Sequence, residues 1–310
     1  MAYILAIISA AGYGLNNFLL QVGMRSGRTS NKHAHMINLI SGTIFLGVIE
    51  LFNLLFSESL DYNWKGFLFF FAAGLSGPFL GRIFNILSIR KIGGTRTSIL
   101  RMSETLITIF LALIMLREKL SFLSTLGAVI LISGILLLMS EKDLSEPEVN
   151  PTMDQGRDKG SRLKSKKRIS RYVFVFLAST FFSFGKIFNR YGLDNISSPV
   201  LGALCGTLIA LLGNSLWKNG KRINKTKIKL PFKDIAFIAA SGFSNSLGLF
   251  LLLVAMNSGG LVSLVTVLKN TSSLFTLLFS VIFLKKIEKI NFKVIASVVI
   301  VLTGVIIIVL

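Results

Sequence analysis

Lys65–Leu106, KGFLFFFAAGLSGPFLGRIFNILSIRKIGGTRTSILRMSETL, and Lys233–Leu274, KDIAFIAASGFSNSLGLFLLLVAMNSGGLVSLVTVLKNTSSL, are one stretch written twice at a constant offset of 168 residues. Lys65 falls on Lys233, Phe69 on Phe237, Ala72 on Ala240, Gly74 on Gly242, Ser76 on Ser244, Leu100 on Leu268 and Leu106 on Leu274, with no gap over 42 positions. Inside the match Arg101 faces Lys269, so a basic residue holds the same place in each copy. The register continues outside it: Gly42-Thr43 recurs as Gly206-Thr207, Gly23 as Gly192 and Glu118-Lys119 as Glu288-Lys289. A repeat of this length decides the architecture before any single element does.

The composition says where the two copies sit. Of the 310 residues 52% are hydrophobic and only 15% charged, with 26 Phe and a mean hydropathy of +0.70. Apolar runs of about 20 residues cross the ~30 Å of hydrocarbon as helix. Ten such runs are expected, at 2–22, 34–56, 66–88, 97–116, 121–140, 172–193, 199–217, 234–256, 262–284 and 291–310. Continuous runs rather than alternating ones select helices over a barrel. The first run has no basic leader and its counterpart lies mid-chain, so it reads as a retained helix and not a cleaved signal.

The fold expected is thus an all-α membrane protein of ten transmembrane helices in two five-helix repeats, 1–140 and 172–310, joined by a charged linker, 141–171. Five is odd, so the second repeat enters the membrane from the opposite side and the two are inverted, as in many secondary transporters. The linker has Pro147, Pro151, six acids and nine bases with no apolar period, and reads as solvated. Its basic end, Arg162 to Arg171, is expected to anchor orientation and to meet anionic lipid. Lys and Arg are lopsided, with about 24 in the gaps after odd-numbered spans and about three in the others, which places the basic side in the cytoplasm and both termini outside.

The formal charge of +20 would suggest nucleic acid in a soluble chain, but these bases cluster between apolar runs and read as membrane-surface anchors. Nucleic acid is not expected as a partner. Cys205 is the one cysteine, which excludes an internal disulfide and a cysteine metal site, and His33 and His35 alone do not make a metal centre. Neither a metal nor a cofactor is expected. No Walker-type loop occurs, and no His/Asp/Glu cluster or serine-base pair suggests an enzyme.

Charge inside the spans carries the chemistry. A charged side chain at the bilayer centre costs ~2.5–3.5 kcal/mol on insertion scales, so those present must face protein or a wet cavity. They are read as Arg82, Arg101, Lys186, Lys269 and, nearer an end, Arg190, with Glu104 as the one acid. Thr97, Arg101, Glu104 and Thr108 line one face of the fourth span, and Thr266, Lys269, Ser273, Thr276 and Ser280 one face of the ninth. Ser9, Tyr13, Asn17 and Gln21 make a stripe on the first, and Ser179, Ser183, Lys186 and Arg190 on the sixth. The fifth and tenth spans carry almost nothing polar and belong outside, with Gly127, Gly134, Ser297 and Gly304 as a small-residue seam. Arg101 and Glu104, three apart, are expected to pair.

With these features the chain outside the linker resembles the drug/metabolite transporter superfamily, ten-helix permeases of two EamA-type repeats. The likeness rests on Leu116-Arg117-Glu118-Lys119-Leu120 followed by Gly127 and Gly134, on Ile287-Glu288-Lys289-Ile290 followed by Ser297 and Gly304, and on Gly12-Tyr13-Gly14-Leu15-Asn16-Asn17. The chain departs from many members in having no proline in the fourth and ninth spans, and from the common habit of cytoplasmic termini. The resemblance implies a site lined by spans 1, 3, 4, 6, 8 and 9. Val267-Leu268-Lys269-Asn270-Thr271 is similar to a phosphate-meeting stretch of sugar-phosphate and nucleotide-sugar members.

The function expected is secondary-active transport of a small anionic or zwitterionic metabolite, one half rocking against the other in the cell membrane. The substrate-binding residues expected are Arg101, Lys269, Arg82, Lys186, Asn17, Tyr13, Asn245 and Asn270, with Glu104 pairing or accepting a coupling proton. The protein would act as a monomer or homodimer. The alternatives are a proton-coupled exporter of cationic or apolar compounds, with Glu104 as carrier, and a lipid-headgroup flippase.

Overall fold

Apolar residues are continuous along each run, so backbone polar groups are satisfied within the helix and side chains are left to settle the packing. The computed structural model describes residues 1–25, 31–56, 63–92, 97, 100–142, 164–216, 231–284 and 292–309. These form α1 (Ala2–Met24), α2 (Asn31–Phe56), α3 (Trp64–Gly74), a π-helical segment (Leu75–Gly81), α4 (Arg82–Ile92), α5 (Ser103–Met115) and α6 (Phe122–Lys142). The second half gives α7 (Lys164–Asn195), α8 (Pro199–Leu216), α9 (Phe232–Asn257), α10 (Val262–Lys269), α11 (Ser272–Leu284) and α12 (Phe292–Val309). No strand occurs among the described residues. Six helical stretches are long and apolar enough to cross a membrane, and four shorter apolar helices lie on the other expected spans.

Three spans depart from simple rods. The third is continuous from Trp64 but passes through the π segment around Pro78, whose missing N–H loosens the ladder just before Arg82. The ninth is split at Asn270-Thr271, where Asn270, Thr271, Ser273 and Leu274 donate to carbonyls three residues back. The fourth tightens likewise, Glu104 N–H bonding Arg101 O and Thr105 N–H bonding Met102 O. No proline is needed: the Thr271 and Ser273 hydroxyls take the Leu268 and Asn270 carbonyls at 2.7 and 3.1 Å, a known way of bending a helix. The expected unbroken helices at 97–116 and 262–284 are corrected accordingly.

The linker is also shorter than the charge pattern suggests. α7 begins at Lys164, so the basic end of 141–171 already belongs to the helix of the sixth span. Residues 143–163 lie outside the described ones.

Packing interleaves the halves. α1 lies on α9 with Gly12 against Gly248 and with Ser9 and Ser244 hydroxyls donating to the Gly248 and Gly12 carbonyls at 2.6 and 2.9 Å. α2 also packs on α9, and α1 on α10 and α11. The same pattern recurs with spans exchanged: α3, the π segment and α4 lie on α7, with Gly77 against Gly185, while α8 covers α3 and α5 covers α7. One body therefore holds spans 1, 2, 8 and 9, and the other spans 3, 4, 6 and 7. Among the described residues each helix has its main packing partner in the opposite half of the sequence. α6 and α12 pair with each other, with Gly127, Gly134 and Gly304 letting the backbones approach as the small-residue seam predicted.

Candidate functional site

The tight turns of the fourth and ninth spans place charge at helix ends where the backbone favours it. Glu104 lies in the first turn of α5, and Lys269 in the last turn of α10, each matched in sign to its helix terminus. α7 brings the third element, presenting Ser179, Ser183 and Lys186 on one face.

These elements converge on Glu104. Its Oε2 accepts from Arg101 Nη2 at 3.0 Å and its Oε1 from Lys186 Nζ at 2.5 Å. Lys186 and Glu104 are sealed in, their side chains 10% and 8% exposed, whereas Arg101 keeps 30%. The Ser183 and Thr108 hydroxyls both donate to the Glu104 backbone carbonyl, at 2.9 and 2.7 Å, and Ser103 donates to Ser179 at 3.0 Å. These bonds fix α5 to α7 and hold the carboxylate in place.

Two cations at the site retain binding capacity. The Arg101 guanidinium lies 4.8 Å from the Phe182 ring centroid, and its Nε is buried with no hydrogen-bond partner. Lys269 Nζ stands 4.9 Å over the Tyr13 ring with no hydrogen bond or ion pair to a described residue, close enough to Glu104, Lys186 and Arg101 for their charges to interact. Cation–π contact holds such a group without consuming its donors. Asn270 Nδ2 donates to Thr105 Oγ1 at 2.5 Å, joining the two turns directly, and Asn17 Nδ2 reaches Thr276 Oγ1 at 3.5 Å. Three cations thus share one carboxylate, which leaves an excess of positive charge where α1, α5, α7, α10 and α11 meet.

Of the residues expected at the site, Arg101, Glu104, Lys186, Lys269, Tyr13 and Asn270 come together, and Asn17 lies beside Thr276. Arg82 lies at the edge of the cluster, close enough to Arg101 for their charges to interact but bonded elsewhere. Its Nη2 meets His35 Nδ1 at 3.3 Å, and it lines a separate small pocket with Pro78, Phe79, Ala210 and Asn214 between the second, third and seventh spans. Asn245 is half-buried on α9 and makes no hydrogen bond to the cluster. Arg190 is a structural anchor, paired with Asp194 at 3.2 Å and donating to the Met256 carbonyl.

The two halves also meet at Glu118, whose carboxylate caps α10 from outside. Oε1 accepts from Val262 N–H at 2.5 Å, and Oε2 from Ser263 N–H and Oγ–H at 3.2 and 2.5 Å. Arg117, just before it, turns the chain with a positive φ of 52°.

With that cap the repeated glutamate turn has a structural meaning, and the family comparison agrees with it. The model of the EamA-like transporter family matches residues 1–140 and 169–310, both halves of the chain. The chain belongs to the EamA-like transporter family. A solved crystal structure, described only as that of a protein, superimposes on this EamA-family chain with a TM-score of 0.73. The match covers 99% of this chain and 94% of the other at 12% identity, and it speaks to the fold alone. No curated protein matches. The EamA-family chain is a multi-pass membrane transporter.

Sequence reasoning missed two features. Glu104 was expected to be the one intramembrane acid, yet Glu50 lies inside the second span and is buried there. The signal was plain in Ile44-Phe45-Leu46-Gly47-Val48-Ile49-Glu50-Leu51-Phe52, an acid amid apolar residues. The Glu104–Lys186 pair was missed because Arg101, three residues away on the same helix, is the partner that spacing suggests, whereas Lys186 lies 82 positions on.

Proposed function

We propose that this protein is a secondary-active permease of the cell membrane for a small anionic or zwitterionic metabolite. Its ten spans form two inverted repeats. The observation that carries the reading is the cluster in which Arg101, Lys186 and Lys269 surround the single carboxylate of Glu104. A group of that charge inside a membrane protein is tolerated where a ligand or water meets it. Lys186 is spent on Glu104. Arg101, through its unpartnered Nε, and Lys269, through its free ammonium, are the groups left to receive the negative part of the substrate. Tight turns in the fourth and ninth spans place both at the junction of the two bodies, where discontinuous helices of transporters bind their solutes.

Alternating access then works by rocking spans 1, 2, 8 and 9 against spans 3, 4, 6 and 7. Arg101 belongs to one body and Lys269 to the other, so a bound anion bridges them and its binding energy acts on their relative position. The basic gaps face the cytoplasm, and the orientation follows from them.

Thermal unfolding of the purified protein with succinate, inorganic phosphate, glutamate or tetraethylammonium tests the substrate class. Acids or phosphate are expected to stabilise, by about 2.7 kcal/mol at a hundred times their dissociation constant. Arg101→Ala and Lys269→Ala should each weaken binding about tenfold or more, the worth of one hydrogen bond to a charged group. Stabilisation by tetraethylammonium with none by the three anions would sink the assignment.

A further inference from the structure

Glu50 is 4% exposed, both of its carboxyl oxygens are buried, and among the described residues it has no ion pair and only Asn53 near enough to bond it. Around it Leu51, Phe52, Leu54, Leu55 and Phe56 are all more than half exposed, so this end of α2 turns apolar side chains outward and one acid inward. Along the same face, one and two turns back, Gly47 has open space where a side chain would stand, and Thr43 Oγ1 is buried without a partner. A polar strip beside open space thus leads to Glu50.

Among the described residues no cation faces it from α8 and α9, the helices that pack most extensively on α2, and Arg82 of α4 meets α2 only at His35, at the far end. The titratable side chain of α8 is Cys205, whose thiol is close enough to sense the charge of Glu50. Those of α9 are Lys233 and Asp234 in its first turn. Gly42 packs on Gly242 and Asn38 bonds Ser241, so that turn is level with the start of α2, about 25 Å from Glu50 at 1.5 Å per residue. On α2 itself His33 and His35 lie at the far end, about 22 Å or more away by the same rise. Asn53, one turn on, is the neutral side chain within bonding reach of the carboxyl. An ionised carboxylate sealed in such surroundings has only the neutral Asn53 amide to offset its lost hydration, whereas a protonated one is neutral. Glu104 is the opposite case, held by Arg101 and Lys186, and a proton there would have to displace both.

We propose that Glu50 is an intramembrane proton-binding site, loaded in the packing seen here and emptied when α2 parts from α8 and α9 to let water reach it. In the transport cycle it takes the coupling role that the sequence suggested for Glu104. That use rests on the transport reading, but the site itself does not.

Infrared spectroscopy of the full-length protein in lipid bilayers reads the site without any transported solute. A protonated carboxyl absorbs at higher frequency than a carboxylate. The wild type is expected to show the protonated band at neutral pH, Glu50→Gln to lose it, Glu50→Asp to keep a shifted one, and Glu104→Gln to leave it in place. Raising the pH should remove the band while helix content is unchanged. A band that survives Glu50→Gln, or is absent from wild type between pH 5 and 8, overturns the proposal. Dicyclohexylcarbodiimide, which adds to protonated carboxyls in apolar surroundings, supplies a second reading by peptide mass spectrometry. Adduct on Glu50 at least tenfold above that on Glu104 is expected, and the reverse ratio overturns it. Failure of the anion screen would count against the proposed function and leave this result standing.

Discussion

At the scale of single residues, Glu104 decides whether the site is neutral enough to exist. Removing one partner of a buried pair leaves the other charge stranded, typically at ~3–5 kcal/mol, whereas replacing both with apolar groups is often neutral. Glu104→Leu alone should therefore lower the unfolding temperature strongly, Lys186→Met similarly, and the double variant Glu104→Leu/Lys186→Met clearly less than their sum. Denaturation in detergent measures all three, and strict additivity would mean that the 2.5 Å contact carries no coupling. Arg190 is predicted to behave differently. Its partners are Asp194 and a backbone carbonyl away from the cluster, so Arg190→Gln should cost stability while leaving anion affinity within about twofold, since no contact to the site is lost. Most of these residues were legible, because a charge within an apolar run announces itself. Which charge meets which was not: Arg101 and Glu104 are one turn apart on their own helix, but Lys186 arrives from 82 positions away.

At the scale of elements, the inter-half cap on α10 is the feature with the most direct test. Three donors converge on the Glu118 carboxylate at a helix N-terminus, where the dipole favours negative charge. Glu118→Ala should cost about 1–2 kcal/mol, the range of a lost N-cap, and Glu118→Asp should recover little because its shorter arm falls short of Val262. Hydrogen exchange at Val262 and Ser263 would report the fraying. Arg117→Gly is expected to be neutral or stabilising, because glycine adopts the left-handed conformation without the ~1–2 kcal/mol that other residues incur. The sequence displayed Glu118 twice over as a repeated motif, yet the motif by itself did not say what it caps. Likewise the fourth and ninth spans have no proline, and in the ninth hydroxyl groups bend the helix in its place.

At the scale of the whole molecule, interleaving changes what can move. Gly77 and Gly185 lie in contact within one body, while Thr105 and Asn270 join the two bodies. In a Cys205→Ser background, a disulfide between cysteines at 77 and 185 should leave transport running at roughly half the wild-type rate or better. One between cysteines at 105 and 270 should arrest it and recover on reduction, since on the rocking mechanism proposed above a crosslink across that junction removes one of the two states. Equal inhibition by both would mean that the halves of the sequence, and not these mixed bundles, are the moving bodies. At the α6–α12 seam, Gly304→Leu would push a side chain into the Leu131 and Gly127 backbones, and overpacking of that kind costs ~1–3 kcal/mol.

The chain alone determined that it is helical, where its spans lie, that it is duplicated, and that a few cations must share a protected interior. Each of these is a property of local hydropathy and of register, which one dimension contains. Only tertiary structure decided that every span finds its main partner in the other repeat, that Glu104 neutralises a lysine of the sixth span, that Arg82 lines a second pocket at the edge of the cluster, and that Glu50 meets no cation among the described residues. Those outcomes depend on which surfaces fit when the helices close around one another, and the spacing of charges along a chain does not contain that fit.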